Sequence, residues 1–322
     1  MITLDQWRTA RRVDHTWLFG YHPRFRNPAG HPNLKGFDAL VTACHAANNT
    51  FDRVTALGAL LAAAQAHQVA AGGVAVRYRT PVQNLIAQAA QDLNVICGAA
   101  HAHARNLSIV RAAAGLALAQ KTITANVFYI APVGAAPVPA PIDAIIDAHI
   151  LTANTLGSFV AAGIRVQRSN AVATVLTNHG GQSLLLTAPA PLAMIGKFQD
   201  SAAGGERLIA ECGAVPRPGR VDIVYLDEYD QADIQGRTFR AGQSYGPAVP
   251  VRPIVTVRLT PAAGGGASHP TTLVHELGHA LTGDSGHSAD AAMLMASGNI
   301  RGAVNDLSPG HVGWFRHNAH VV

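Results

Sequence analysis

Apolar residues first recur with helical spacing at Phe37, Leu40, Val41 and Cys44, which share one face. Asn49-Thr50 interrupts this run and offers cap chemistry for a second helix, predicted to reach about Ala71, where Gly72-Gly73 stops it. Thr80-Pro81 reads as an N-cap followed by proline at the first helical position. The apolar period resumes from Val82 to Cys97 and again from Leu107 to Leu118. Ahead of Phe37, Tyr21-His22-Pro23, Asn27-Pro28-Ala29-Gly30 and His31-Pro32-Asn33 are turn chemistry. Residues 1–121 are therefore expected to form a mostly helical N-terminal region.

The period changes near Lys121. Thr122 to Ile130 alternates and is rich in β-branched and aromatic residues, which predicts a strand. After a Pro/Ala/Gly loop, Pro141 opens a predicted helix to about Ala162, with Ile145, Ile146, Ile150, Leu151 and Leu156 on its buried side. Further strands are predicted over Ile164–Leu176, Val221–Leu226 and Ile254–Leu259. A glycine spacer, Gly264-Gly265-Gly266, and Ser268-His269-Pro270 then lead to an apolar helix. This order predicts an α+β fold, a mixed sheet with helices packed on it, over residues 122–322.

Composition narrows the class. Hydrophobic residues are 48% of the chain and charged residues 13%, which excludes an intrinsically disordered protein. Cys44, Cys97 and Cys212 are odd in number and widely spaced, so no disulfide framework is expected, although a Cys44–Cys97 bridge stays open. The net charge of +5 is uneven. Residues 1–121 hold twelve Lys and Arg against five Asp and Glu, and the remainder holds twelve against fourteen. The basic part could meet an anionic partner or be a solvated face. No transmembrane segment stands out, and the first twenty residues lack a secretory leader's apolar centre. The expected location is cytoplasmic, or outside the cell by a leaderless route.

The stretch Thr271-Thr272-Leu273-Val274-His275-Glu276-Leu277-Gly278-His279-Ala280-Leu281 carries the chemistry. Residues four apart on a helix lie one above the other, so His275 and His279 present two imidazoles to one point. Zinc takes imidazole nitrogen at about 2.0–2.1 Å, and catalytic zinc keeps three protein ligands and a water. Glu276, beside the first imidazole, is the candidate general base. No glutamate follows Glu276, so a downstream glutamate cannot be the third ligand. His287, Asp284, Asp290 and a late histidine such as His311 remain candidates.

Farther on the chain reads Gly286-His287-Ser288-Ala289-Asp290 and then Leu294-Met295. Together with the first motif this resembles the metzincin clan of zinc peptidases, in its matrixin-like form, with His-Glu-x-x-His-x-x-Gly-x-x-His and a methionine turn. The resemblance covers only about Leu273 to Met295. It implies a metzincin-like catalytic domain, one catalytic Zn2+, His287 as third ligand and Met295 as the floor beneath the metal. Met293 could stand in if the register slips. Eight positions separate His279 from His287, against six in the family, and Thr282 stands where the family has its turn glycine. Gly283 or Gly286 would then end the helix. Aspartate serves as third ligand in some metzincins, which keeps Asp284 as the alternative. Ser297 occupies the place where some members carry a tyrosine that assists catalysis. Cys212 is a remote candidate for a silencing thiolate of the kind found in the propeptide of animal matrixins.

The family order of first strand, long helix, strands, zinc helix, methionine turn and final helix matches this chain. Pro141–Ala162 would be the long helix, and Ser308-Pro309 would cap the last, with Val312, Trp314 and Phe315 as its apolar contacts. The expected activity is that of a zinc endopeptidase on a protein or peptide substrate, with an effector or toxin role in view. An extended substrate is expected to add to a strand edge between Ser244 and Leu259. The alternative is a non-catalytic binding or effector module with a structural or degenerate zinc site.

Overall fold

A computed structural model describes residues 1, 6, 36–70, 76–134, 140–214, 219–259, 271–298 and 306–322. The expected turns before Phe37, the Gly72-Gly73 stop and the Gly264–Pro270 spacer lie outside the described residues. In chain order the elements are α1 (Gly36–Ala46), α2 (Thr50–Ala70), α3 (Val76–Cys97), α4 (Ala102–Ala113), β1 (Lys121–Ile130), α5 (Ala140–Thr155) and α6 (Gly157–Ala162). There follow β2 (Ile164–Arg168), β3 (Thr174–Leu176), β4 (Asn178–His179), β5 (Gln182–Ser183) and α7 (Ala202–Ala214). The chain continues with β6 (Val221–Leu226), β7 (Gly236–Phe239), β8 (Ile254–Arg258), α8 (Thr272–Thr282) and α9 (Pro309–Arg316). No helix among the described residues is long and apolar enough to cross a membrane.

The chain divides into two compact units, Met1–Leu118 with Gly286–His317, and Ala119–Ser285 with Asn318–Val322. Residues Gly286–His317 thus pack with the first 118 residues, whereas the sequence divides the chain at 121/122.

In the first unit, α2 packs against α1, α3, α4 and α9. Asn49 caps α2 as expected, its Oδ1 accepting from Asp52 N at 2.8 Å. Phe37, Val41 and Cys44 are buried on α1. Helix α3 starts at Val76, ahead of Pro81, so proline does not mark its first turn. Ser308 Oγ accepts from His311 N at 3.2 Å with proline following, which is the expected cap of α9. Val312, Trp314 and Phe315 are buried. Helices α2 and α9 cross at a pair of glycines. A Cβ on Gly58 would lie 2.6 Å from Gly310 Cα, and one on Gly310 would lie 2.2 Å from Val54 O. Only the missing side chains permit this approach.

In the second unit the sheet runs β2-β1-β6-β8-β7, with β3 also pairing with β1. The neighbours β2, β3, β6 and β8 run parallel along this path, and β7 is antiparallel to β8. Every residue of β6 and β8 is buried, as expected for strands covered on both faces. The expected strand 164–176 is two strands, β2 and β3. The expected helix 141–162 breaks at Leu156, which is extended with φ −61° and ψ 131°, so the chain restarts as α6. Ile146, Ile150 and Ala153 form the buried stripe of α5, whereas Ile145 and Leu151 face outward. Residues 146, 150 and 153 follow the helical period, and 145 and 151 fall about 110° and about 130° to either side of its centre. The expected substrate edge between Ser244 and Leu259 is corrected as well. Its strand, β8, is internal, and among the described residues the edge on that side of the sheet is β7.

Candidate metal centre

Helix α8 lies on β7 and β8 and has ten consecutive buried residues, Thr272 to Leu281. Its apolar residues Leu273, Val274, Leu277 and Leu281 fasten it, and His275 and His279 project from it one turn apart. Their Nε2 atoms stand 3.2 Å from each other. The rings are perpendicular, with centroids 4.7 Å apart. Two nitrogens bound tetrahedrally at zinc's bond lengths would sit about 3.3 Å apart, so this spacing suits a shared ion.

The helix ends where the longer motif requires. Gly283 takes the left-handed conformation, φ 68°, and its N–H returns to His279 O at 2.9 Å. Arg240 Nη1 donates to Gly283 O at 2.8 Å and holds the turn. The next carbonyl, Asp284 O, meets His279 Nδ1 at 2.7 Å. That contact assigns the proton of His279 to Nδ1 and leaves Nε2 as the lone-pair donor. Asp284 therefore serves His279 through its main chain.

The same continuous stretch of chain brings in His287. The ligating atoms of His275, His279 and His287 all lie within 4.8 Å of one another. His275 and His279 are buried and His287 is exposed. No Cys, Asp or Glu joins this group among the described residues. These three residues could hold a metal ion, and three imidazoles suit zinc as well as copper, iron and nickel.

The other candidates lie elsewhere. Asp290 is tied into its own turn, with its N donating to Ser288 Oγ at 3.1 Å and its Oδ1 accepting from Ala292 N at 3.0 Å. His311 is fully buried on α9, its ring against Phe51, with Nε2 3.0 Å from Phe51 O. Burial holds its pKa down to about 4. Met295 is fully buried, and its carbonyl accepts from Ser288 N at 2.9 Å, next to His287. Met293 is only partly buried, and its N–H closes a turn onto Asp290 O. Cys212 is buried on α7 among apolar side chains, and desolvation raises its thiol well above the usual range. It is not in the imidazole group. Cys44 and Cys97 are both free thiols.

Glu276 points to the edge strand. Thr238 Oγ1 lies 2.7 Å from Glu276 Oε2 and 2.9 Å from Glu276 O. A Cβ on Gly236 would lie 2.7 Å from Glu276 Cγ and 3.0 Å from both Thr256 O and Thr272 Cγ2. Arg237, between them, is bidentate to Asp200, with Nε donating to Oδ1 and Nη2 to Oδ2. Those bonds raise its pKa first, and the nearby Glu276 charge adds to them. The sequence reading missed Gly236 and Thr238, because a four-residue strand shows too little alternation to stand out.

No protein-family model matches the chain, and no curated protein matches it.

Proposed function

We propose that this protein is a zinc-dependent endopeptidase of metzincin-like architecture, with Glu276 as general base. The observation that carries the reading is the convergence of His275, His279 and His287, with Glu276 next to the first of them. Three ligands among the described residues, with His287 exposed, fit a catalytic site that stays open on one side better than a closed structural one. The element order also agrees with that architecture: β1, the long helix α5, the strands, α8, the Met295 turn and α9.

Zinc held there would supply a Lewis acid that acidifies a bound water and polarises the scissile carbonyl. The protein's own groups do the rest. Glu276 takes the proton of the attacking water and passes it to the leaving amine. Thr238, through its hydroxyl, fixes the rotamer of that carboxylate. Strand β7 pairs on one side with β8 and offers its other side to an extended peptide. Cleavage of a broad peptide library by the zinc-loaded wild type, with none by a Glu276→Gln protein of equal zinc content, is the expected result. Equal cleavage by both proteins would remove Glu276 from the mechanism.

A further inference from the structure

His287 belongs to the first unit, and the residue after it is tied at both ends. Ser288 N donates to Met295 O at 2.9 Å, and Ser288 Oγ donates to Asp52 Oδ1 at 2.6 Å. Ala289 N reaches Asp52 Oδ2 at 3.3 Å. Ser288 is 2% exposed. Asp52 lies in the first turn of α2, where the helix amides favour a negative charge. Its carboxylate is fixed independently of Ser288, because Asn49 Nδ2 donates to Oδ2 at 2.6 Å and Asp52 N donates to Asn49 Oδ1 at 2.8 Å.

A ligand on a loop must be ordered when the ion binds, and that ordering weakens affinity unless the loop is held beforehand. Here one bond runs to the methionine turn and another to a rigid, capped carboxylate, so the backbone beside His287 is held before any ion arrives. The holding group comes from the helical region, more than two hundred positions away in sequence. We infer that Asp52, acting through Ser288, is a positioning residue for the third metal ligand, His287. This inference rests on the reading of His275, His279 and His287 as a metal site.

The test uses the full chain. Zinc affinity is measured by competition with a chromogenic chelator, and ligand geometry by the visible spectrum of the cobalt(II) form. Asp52→Ala removes the anchor but also weakens the cap of α2. Ser288→Ala removes the same bond and leaves that cap intact. Each substitution is expected to weaken zinc binding about tenfold. Because both singles lose the shared Ser288–Asp52 bond, the double variant should lose less affinity than the product of the two single losses. The cobalt bands of Ser288→Ala should shift or lose intensity, while the metal-free protein melts within a few degrees of wild type. Wild-type affinity and an unchanged cobalt spectrum in Ser288→Ala would overturn the proposal. A wild-type chain that binds neither zinc nor cobalt is a different outcome, and overturns the metal reading beneath it.

Discussion

Thr238 Oγ1 stands 2.7 Å from Glu276 Oε2, so the candidate general base is held by a hydroxyl on the edge strand. Thr238→Val keeps the shape of the side chain and removes the hydroxyl. A hydrogen bond to a charged group contributes about 1.5–3 kcal/mol. We expect kcat to fall roughly tenfold, with KM and zinc content near wild type, and Thr238→Ser to recover most of the rate. Steady-state kinetics on one library-derived peptide checks this. A fall in zinc content would mean that Thr238 supports the metal instead.

Glu276→Ala and His279→Ala separate the base from a ligand. The first should retain one zinc per chain and lose detectable cleavage. The second should lose both, because the two-imidazole pair at 3.2 Å is broken. Metal analysis beside the cleavage assay reads both effects, and full activity in either variant contradicts the mechanism.

Gly236 admits Glu276 to its place. A methyl there would press on Glu276 Cγ at 2.7 Å, on Thr256 O and on Thr272 Cγ2. Two of these neighbours belong to α8, and neither is the free end of a long chain. Gly236→Ala is expected to cost about 1–3 kcal/mol of stability and to reduce kcat more than tenfold by shifting the carboxylate. Denaturant melts and kinetics on the same preparation test it. A variant as stable and active as wild type would show that this contact relaxes freely.

The sequence made the centre of the site legible and left its surroundings obscure. The α8 motif, the strand β1 and the cap at Ser308 are local patterns, each set by residues within a few positions of one another. The contacts of Thr238 with Glu276 and of Asp52 with Ser288 are long-range, and no periodicity marks them. The packing of α9 on α2 turns on Gly58 and Gly310, which read locally only as weak helix formers. Ile145 and Leu151 show a related limit. Apolar character alone put them in the core of α5, but the helical period turns them outward.

His311 makes stability depend on pH. Burial lowers its folded pKa to about 4, from an ordinary value near 6.5. Between those values the unfolded chain binds the proton and the folded chain does not. The contribution is therefore complete above about pH 6.5 and is lost as the pH falls toward 4. The shift corresponds to about 3 kcal/mol. Urea melts at pH 7 and pH 4.5 should show a drop in wild type that is about 2–3 kcal/mol larger than in His311→Gln. An equal drop in both proteins would remove His311 as the cause.

Zinc stoichiometry across four purified proteins tests the central claim most directly. Equilibrium dialysis is expected to give one tightly held zinc in wild type and a loss of at least a hundredfold in affinity for each of His275→Ala, His279→Ala and His287→Ala, on the order expected when a zinc ligand is removed. Wild type that takes up no zinc, or a His287→Ala protein that binds as tightly as wild type, would contradict it.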